Sequence, residues 1–365
     1  MATYGQRGAA YMKYHSAGDS HGPATLVIVD DVPAGLALDT SAIDLALAER
    51  LAGYGRSPRA HAEGDRARIL SGLWRGSTSH SPLAIAIDNS VADGGTDAAD
   101  VPVTVPRPGH ADYPGMLKYD LPDTRAVSER ASARETAARV AAGAVAQQVL
   151  RELGVCVSAA AHEPDVAAID AARADGDTLG GMVTVTATGV VPGLGSYVRA
   201  DTRLDARIAA ALISIPSVKG IQFGAGFDFA TMRGSDSVDA LRVDTAGHIS
   251  YATNRAGGIT GGMSTGQAIV ATLAVKPVPT TDTAQDSVDV GTRLAAHAPS
   301  PRHDTCVVHA VATIAVAELA LVLVTAYQEQ FGGDVLADMV QALARYRARI
   351  DAAVGCSTET EGGIA

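Results

Sequence analysis

The sequence predicts an α+β fold in which two similar halves build one core. Three observations carry this. A Val-rich strand running into Val32-Pro33-Ala34-Gly35-Leu36, then Asp39-Thr40 and an amphipathic helix, is echoed later in the chain. The echo is a strand running into Val191-Pro192-Gly193-Leu194, then Asp201-Thr202 and a second such helix. No break in composition marks a linker between the two units, so they are expected to fold together. Elsewhere, short apolar strands accompany alanine-rich helices.

Residues 23–32 alternate imperfectly and are rich in Val, which marks a strand. Pro33-Ala34-Gly35 turns the chain, and Asp39-Thr40-Ser41 offers caps for a helix to about Leu51. The Gly- and Arg-rich stretch from Gly53 to Arg68 reads as a loop, with strands near 67–73 and 83–88. Residues 89–125, crowded with Asp, Pro and Gly, read as mostly irregular, and a long ordered loop is usually functional. Ser132-Ala133-Arg134-Glu135 has the capping-box pattern and opens an alanine-rich helix to about Leu153, which Gly154 ends.

The second half brings a strand at 181–190, a helix at 203–214, a strand near 221–228, a Gly-rich loop at 257–266 and a strand at 267–275. An apolar run from Cys306 to Ala326 is interrupted by His309, Thr313 and Glu318, so it reads as a buried helix rather than a membrane span. A final helix covers about 334–352, and residues 353–365 read as a disordered tail. Residues 1–11 are expected to be an extension before a single body over 12–352, with Met12 an alternative start.

The 365 residues suffice for a large core. The formal net charge of −11 argues against a nucleic-acid partner or an anionic-membrane partner. The basic residues are 25 Arg and only 4 Lys. Part of that skew reflects an alanine-rich, GC-rich composition, but Arg is also the better fork for carboxylate and phosphate. An acidic chain that binds an anion must therefore gather its Arg locally. Cys156, Cys306 and Cys356 form no CxxC, which implies neither a disulfide framework nor zinc. The N-terminus lacks the apolar region of a signal peptide, so a reducing, cytoplasmic setting is expected.

Three clusters stand out as candidates for chemistry. Gly18-Asp19-Ser20-His21-Gly22 sets a His in a flexible loop before a strand, suited to proton transfer or to a satisfied loop position. Pro106-Arg107-Pro108-Gly109-His110-Ala111-Asp112 fixes the backbone around His110 and reads as a rigid mount for a general acid, or as a charged turn. Arg302-His303-Asp304 precedes the buried helix, whose N-terminus favours an anion. His21, His110, His303 and Asp304 lack any metal-ligand spacing, so no metal is expected. Arg130, Arg134 and Arg139 oppose the dipole of the capped helix, which suggests that an anion belongs there. Gly193-Leu194-Gly195 is not a dinucleotide fingerprint, because Val198 stands where the third Gly belongs, and no GxxxxGK[ST] exists. The Gly257–Gly266 loop could cradle a phosphate, and a plain hairpin explains it equally well.

Together these stretches resemble the chorismate synthase family. The matching motifs are GDSHG (18–22), VPAGL (32–36), GYGR (53–56), ILSG (69–72), RPGHADY (107–113), LKYD (117–120) and RASARETAARVAAGAVA (130–146). They continue with GVVPGLGS (189–196), SIPSVKG (214–220), GFD (226–228), NRAGGITGGMSTGQ (254–267), KPVPT (276–280) and RHDTC (302–306). They run in family order from residue 12 to about 330. The resemblance implies a lyase that converts 5-enolpyruvylshikimate 3-phosphate to chorismate and phosphate by 1,4-anti elimination, the last common step of aromatic amino acid biosynthesis. It implies reduced FMN as cofactor and a β-α-β sandwich with internal pseudo-two-fold duplication, assembled as a homotetramer. No separate reductase domain is visible, so an external flavin reductase is expected, with NADPH acting on the chain's own flavin as the alternative.

The resemblance also implies roles for residues. His21 would protonate reduced flavin, His110 would assist the phosphate leaving group, and Asp304 would manage the proton at flavin N5, supported by Ser20 and Ser132. The family's FMN contacts fall on Arg130, Ala131, Ser132, Pro216, Ser217, Gly261, Lys276, Pro277, Val278, Pro279, Thr280 and Arg302. Arg50 and Arg56 fall where a nicotinamide nucleotide or the substrate is assigned. Arg107, Arg134 and Arg139 are candidates for the substrate's phosphate and carboxylates. Two positions depart from the common pattern: Asp19 replaces Glu and Ala131 replaces Ser, which bears on hydrogen-bond reach and one contact but removes no catalytic group. A flavin-binding protein without this catalysis is the alternative, and the intact His21, His110 and Asp304 argue against it.

Overall fold

Two four-stranded antiparallel sheets enclose a layer of helices, and the two sheets repeat one topology. The computed structural model describes residues 11–57, 64–89, 101–245, 247–299 and 303–354. The first half contains β1 (Lys13–Ala17), β2 (Ala24–Asp30), α1 (Thr40–Leu51), β3 (Ala67–Ser71), the short pair β4 (Leu73–Trp74) and β5 (Ser77–Thr78), and β6 (Leu83–Asp88). Next come α2 (Asp112–Tyr119), α3 (Arg125–Ser128) and the long α4 (Thr136–Glu152). The second half contains β7 (Cys156–His162), α5 (Val166–Ala174), β8 (Gly181–Thr188), α6 (Leu204–Ile213) and β9 (Val218–Phe223). Three hairpins and a strand follow: β10 (Leu241–Val243) with β11 (Ile249–Tyr251), β12 (Ile259–Thr260) with β13 (Met263–Ser264), β14 (Ile269–Val275), and β15 (Asp286–Asp289) with β16 (Leu294–His297). Two helices, α7 (Val308–Phe331) and α8 (Leu336–Val354), close the described chain.

The sheet orders are β1-β2-β6-β3 and β7-β8-β14-β9. Matching β1 to β7, β2 to β8, β3 to β9 and β6 to β14 makes them identical, with α1 answering α6 and α4 answering α7. Even the irregularities match, since the edge strands β3 and β9 each slip register against their neighbour. The duplication read from the two Val-Pro turns is therefore a duplication of the whole β–α unit. Both turns carry a glycine in the left-handed region, Gly35 (φ 94°) and Gly193 (φ 92°), where a side chain would strain the backbone.

The helices lie between the sheets. In β2 the burial alternates, with Val27 and Val29 buried and Leu26 and Ile28 exposed on the outer face, as a strand covered on one side requires. Asp39 caps α1 by accepting from the Ser41 N–H at 2.9 Å, as expected of an N-cap. Helix α4 is buried along most of its length and packs on α7. Its small side chains follow from that position, since two helices and two sheets meet there. The approach is closest at Gly143, where an added Cβ would lie 2.2 Å from Ala317 Cβ and 2.4 Å from its Cα. Gly143→Ala should therefore cost about 3 kcal/mol through overpacking, outweighing the roughly 1 kcal/mol that Ala gains over Gly in a helix. A thermal melt checks this, and an unchanged or raised melting temperature would contradict it. Helix α7 is the one described helix long and apolar enough to cross a membrane, and it is mostly buried here against α4, β7 and β8.

Several elements differ from the expectation. Residues 89–125 are expected to be mostly irregular, yet α2 lies there and α3 starts at its end, with 90–100 outside the described residues. Pro114 and Gly115 hide α2, although Pro is tolerated in a first turn and Gly115 lets Val127 pack against the helix. Strands β1 and β7 and helix α5 were not foreseen. The sequence of β7, CVSAAAH, carries a helical composition, and it is strand because it pairs with β8 from Cys156↔Thr188 to His162↔Met182. The strand expected near 221–228 begins at Val218 and yields after Phe223 to a 3₁₀ turn over 226–231. The 257–266 loop is a hairpin, β12–β13. The tail proposed at 353–365 lies outside the described residues from 355 onward.

Candidate active site

Three segments carry the candidate groups. The first is the loop between β1 and β2. Asn89 Nδ2 donates to the carbonyls of Ser20 and Gly22, both at 3.0 Å, and pins the loop from below. The segment after α3 lies against it. Ser132 Oγ donates to Ser20 Oγ at 3.1 Å. Arg130 reaches back to the Ser16 carbonyl at 3.1 Å and to Ser16 Oγ at 2.7 Å. His21 is gripped by Glu129, whose carboxylate lies 2.7 Å from Nδ1 and accepts the His21 backbone N–H at 2.9 Å. Ala131 stands between Arg130 and Ser132, its N–H donating to the Val127 carbonyl at 2.9 Å.

The start of α4 explains the Arg pattern. Ser132 caps a short 3₁₀ turn by accepting from the Arg134 N–H at 3.3 Å. The other half of the expected capping box is missing, because Glu135 meets Arg139 Nε at 2.7 Å instead. Asp65, its side chain only 1% exposed, bridges two arginines: Arg50 Nη2 at 2.7 Å and Arg134 Nη1 at 2.6 Å. Arg139 also meets Glu318 at 3.1 Å and Ser214 Oγ at 2.8 Å. Tyr14 donates to the same Glu318 at 2.9 Å. Burial raises the Glu318 carboxyl above its ordinary value, against the pull of Arg139. Arg139 is thus tied into the interior packing between α4 and α7.

The second segment holds His110. Gly109 is left-handed (φ 74°), and a Cβ there would lie 2.8 Å from Pro279 Cβ, so only glycine lets the loop approach the 276–280 strap. His110 Nε2 is 2.9 Å from Thr280 Oγ1. Lys276 Nζ donates to the Gly109 carbonyl at 3.2 Å, and the Lys276 N–H donates to the carbonyl of Ser217, itself left-handed at φ 71° after Pro216. Arg107 grips Asp112 through Nε at 2.7 Å and Nη2 at 3.0 Å. Burial first, then the Arg107 charge, hold the His110 imidazolium down to about 4, with Asp112 opposing and Lys276 adding. Lys276 is itself lowered by burial and by the Lys219 charge.

The third segment is His303-Asp304. Asp304 pairs with Arg56 Nη1 at 2.8 Å and accepts the Ser57 N–H at 2.6 Å. His303 Nε2 lies 3.4 Å from Asp282. Arg302 lies outside the described residues.

The segments are linked partly by side-chain contacts and partly by short stretches of backbone. Ser20, next to His21, meets Ser132; the Ser132 turn carries Arg134, which meets Arg50 through Asp65. Arg50 ends α1, just before Arg56 and its partner Asp304. His303 meets Asp282, two residues beyond the Thr280 that holds His110. Pro277, Val278 and Pro279 form the strap between Lys276 and Thr280, and Thr178 Oγ1 fastens it at the Val278 carbonyl at 2.6 Å. Gly261 sits at the β12–β13 turn, where a Cβ would meet nothing within 4 Å. Glu129, Asn89 and Asp65 belong to none of the candidate clusters of the sequence, whereas Asp112 stands in the His110 cluster. The only signal for the first three was a need, since each buried cation requires a counter-charge or acceptor. A separate cleft of about 340 Å³, lined by residues of α1, α4, α7 and β7, contains none of these residues.

Comparisons with known proteins converge. A family model described as chorismate synthase matches residues 12–165 and 155–327. A chorismate synthase from Desulforudis audaxviator is 43% identical, covering 93% of this chain and 98% of its own length. One from Moorella thermoacetica is also 43% identical, over 92% of this chain and 98% of its own. One from Kocuria rhizophila is 42% identical over 95% of each. A solved structure described as a crystal structure of chorismate synthase matches with a TM-score of 0.77 and 29% identity, covering 94% of this chain and 100% of that one.

Proposed function

This chain belongs to the chorismate synthase family, and from that premise we propose that it converts 5-enolpyruvylshikimate 3-phosphate to chorismate and phosphate by 1,4-anti elimination with reduced FMN. The observation that carries the reading is the set of pairings that lies along His21, Arg134, Arg50, Asp304 and His110, joined by contacts and short stretches of backbone. It gathers groups from five distant stretches of sequence. Packing alone does not call for so many ionisable groups in one arc, whereas a substrate with a phosphate and two carboxylates does.

The residues present suit a flavin phosphate. Burial and Lys219 hold the Lys276 ammonium below its ordinary value, and an anion beside this strap would offset the Lys219 repulsion and favour the charged form. Arg130, Ala131, Ser132, Pro216, Ser217, Gly261 and the strap Lys276–Thr280 would hold the cofactor. When bound, reduced flavin supplies electron density to the substrate as phosphate leaves. Arg107 and Arg134, each oriented by a carboxylate, would align the substrate, and Arg50 and Arg56 would neutralise it. Arg139 would support the site from the interior. His21, with Ser20 and Ser132, would hold the flavin-side proton on its ring, and Asp304 would accept one while Arg56 fixes its geometry. Leu26 and Ile28, exposed on the outer sheet face, would lie at a subunit contact in the homotetramer that the family implies. The reduced cofactor would come from an external flavin reductase, NADPH being the other source.

His110 is neutral near pH 7 in the free chain, whereas protonating a departing phosphate requires the imidazolium. The approaching phosphate dianion favours that form, so substrate binding should take up a proton, about one per site at most. Titration calorimetry in two buffers of different ionisation heat checks this. A binding heat independent of buffer would contradict it. The activity itself is tested by chorismate formation under anaerobic conditions with reduced FMN.

A further inference from the structure

The carboxylate behind His21 belongs to no motif singled out by the sequence. Glu129 Oε1 lies 2.7 Å from His21 Nδ1, and Oε2 accepts the His21 backbone N–H at 2.9 Å. The Glu129 backbone carbonyl accepts the Ser20 N–H at 3.2 Å, so one residue holds the loop at three points. The Glu129 side chain is 11% exposed and the His21 ring 34%. The carboxylate is thus shielded, while part of the ring still faces outward.

An ionised carboxylate only accepts hydrogen bonds, so its contact with Nδ1 requires the ring proton there. In the neutral imidazole, Nε2 is then the bare nitrogen. The backbone contact prevents the carboxylate from swinging to serve the other ring edge. We infer that Glu129 is a positioning residue that fixes the tautomer and orientation of His21, leaving Nε2 as the nitrogen that exchanges a proton in the reaction. What His21 does rests on the function proposed above; which nitrogen carries the proton does not.

The test has two arms on the full chain. The first is a ¹⁵N-histidine NMR spectrum at a pH where the ring is neutral, with the His21 signals assigned by their loss in His21→Asn. Wild-type protein should show Nδ1 protonated and Nε2 bare. In Glu129→Gln the amide oxygen can still accept the backbone N–H while its NH₂ faces Nδ1, so the proton should move to Nε2. The second arm is kinetics. Glu129→Gln should lower kcat about 10²–10⁴-fold, as loss of a tautomer-fixing carboxylate does in a nucleophile triad, with KM, flavin affinity and melting temperature near wild type. Wild-type His21 protonated at Nε2, or a Glu129→Gln enzyme with undiminished kcat, would overturn the inference. Should Glu129→Gln fail to fold, the wild-type spectrum alone decides. Should wild-type protein turn over no substrate, the activity reading fails while the spectrum still judges Glu129.

Discussion

Replacing His110 with alanine should lower kcat about 10²–10⁴-fold, the range that a positioned general acid contributes, while flavin affinity stays largely unchanged. The ring is mounted by Gly109 against Pro279 and held by Thr280. The groups proposed to grip the cofactor, Lys276, Ser217 and Arg130, have their own backbone partners and remain in place. Turnover by chorismate absorbance and flavin binding by fluorescence separate the two effects. Near-normal kcat, or loss of flavin binding, would contradict the role. The same variant has a pH signature. The folded-state value of His110 is lowered from 6.5 to about 4, so between those values the unfolded chain binds the proton and the folded chain does not. Stability from this group is present above pH 6.5 and is lost as pH falls toward 4. His110→Ala should therefore lose less stability than wild type over that interval.

Asp65→Ala should be the most damaging of the single substitutions to the fold, by about 3–5 kcal/mol. It removes the carboxylate shared by two guanidinium groups that are each only 4% exposed. Water cannot readily replace it there, and Arg50 and Arg134 would repel each other across the gap. Because Arg134 follows the Ser132 cap, turnover should fall with stability. Asp65→Asn keeps the shape and one acceptor and should lose less. Chemical denaturation measures both, and an Asp65→Ala protein as stable as wild type would contradict the bridge.

The parts of the fold legible in the sequence were those set by local chemistry. The Val-rich strands, the Val-Pro turns with their glycines, the Asp39 cap and the alanine-rich α4 each signal themselves within a few residues. Strand β7 does not, because its alanines become strand only through pairing with β8. Helix α2 was hidden by Pro114 and Gly115, whose tolerance depends on a first-turn position and on Val127. In the site, the cations were legible, as were Asp112 and Asp304, but Glu129, Asp65 and Glu318 were not. Reading Arg134 and Arg139 at a helix start as awaiting an anion was sound in sign, but the chain itself supplies Asp65, Glu135 and Glu318. Glu135 stands at the i,i+4 spacing of a helix pair with Arg139, whereas Asp65 and Glu318 come from other elements and no spacing in the sequence names them. Glu129 escaped for the same reason, since its histidine lies 108 residues away.

The residues from His21 through Arg134, Arg50 and Asp304 to His110 are proposed as the active site of a chorismate-forming lyase. The most direct measurement is anaerobic incubation of purified protein with 5-enolpyruvylshikimate 3-phosphate and chemically reduced FMN, following chorismate and phosphate together. Stoichiometric release of both, absent with oxidised FMN and strongly reduced in His110→Ala, is the expected result. A folded protein that binds FMN and forms no chorismate under these conditions would contradict it.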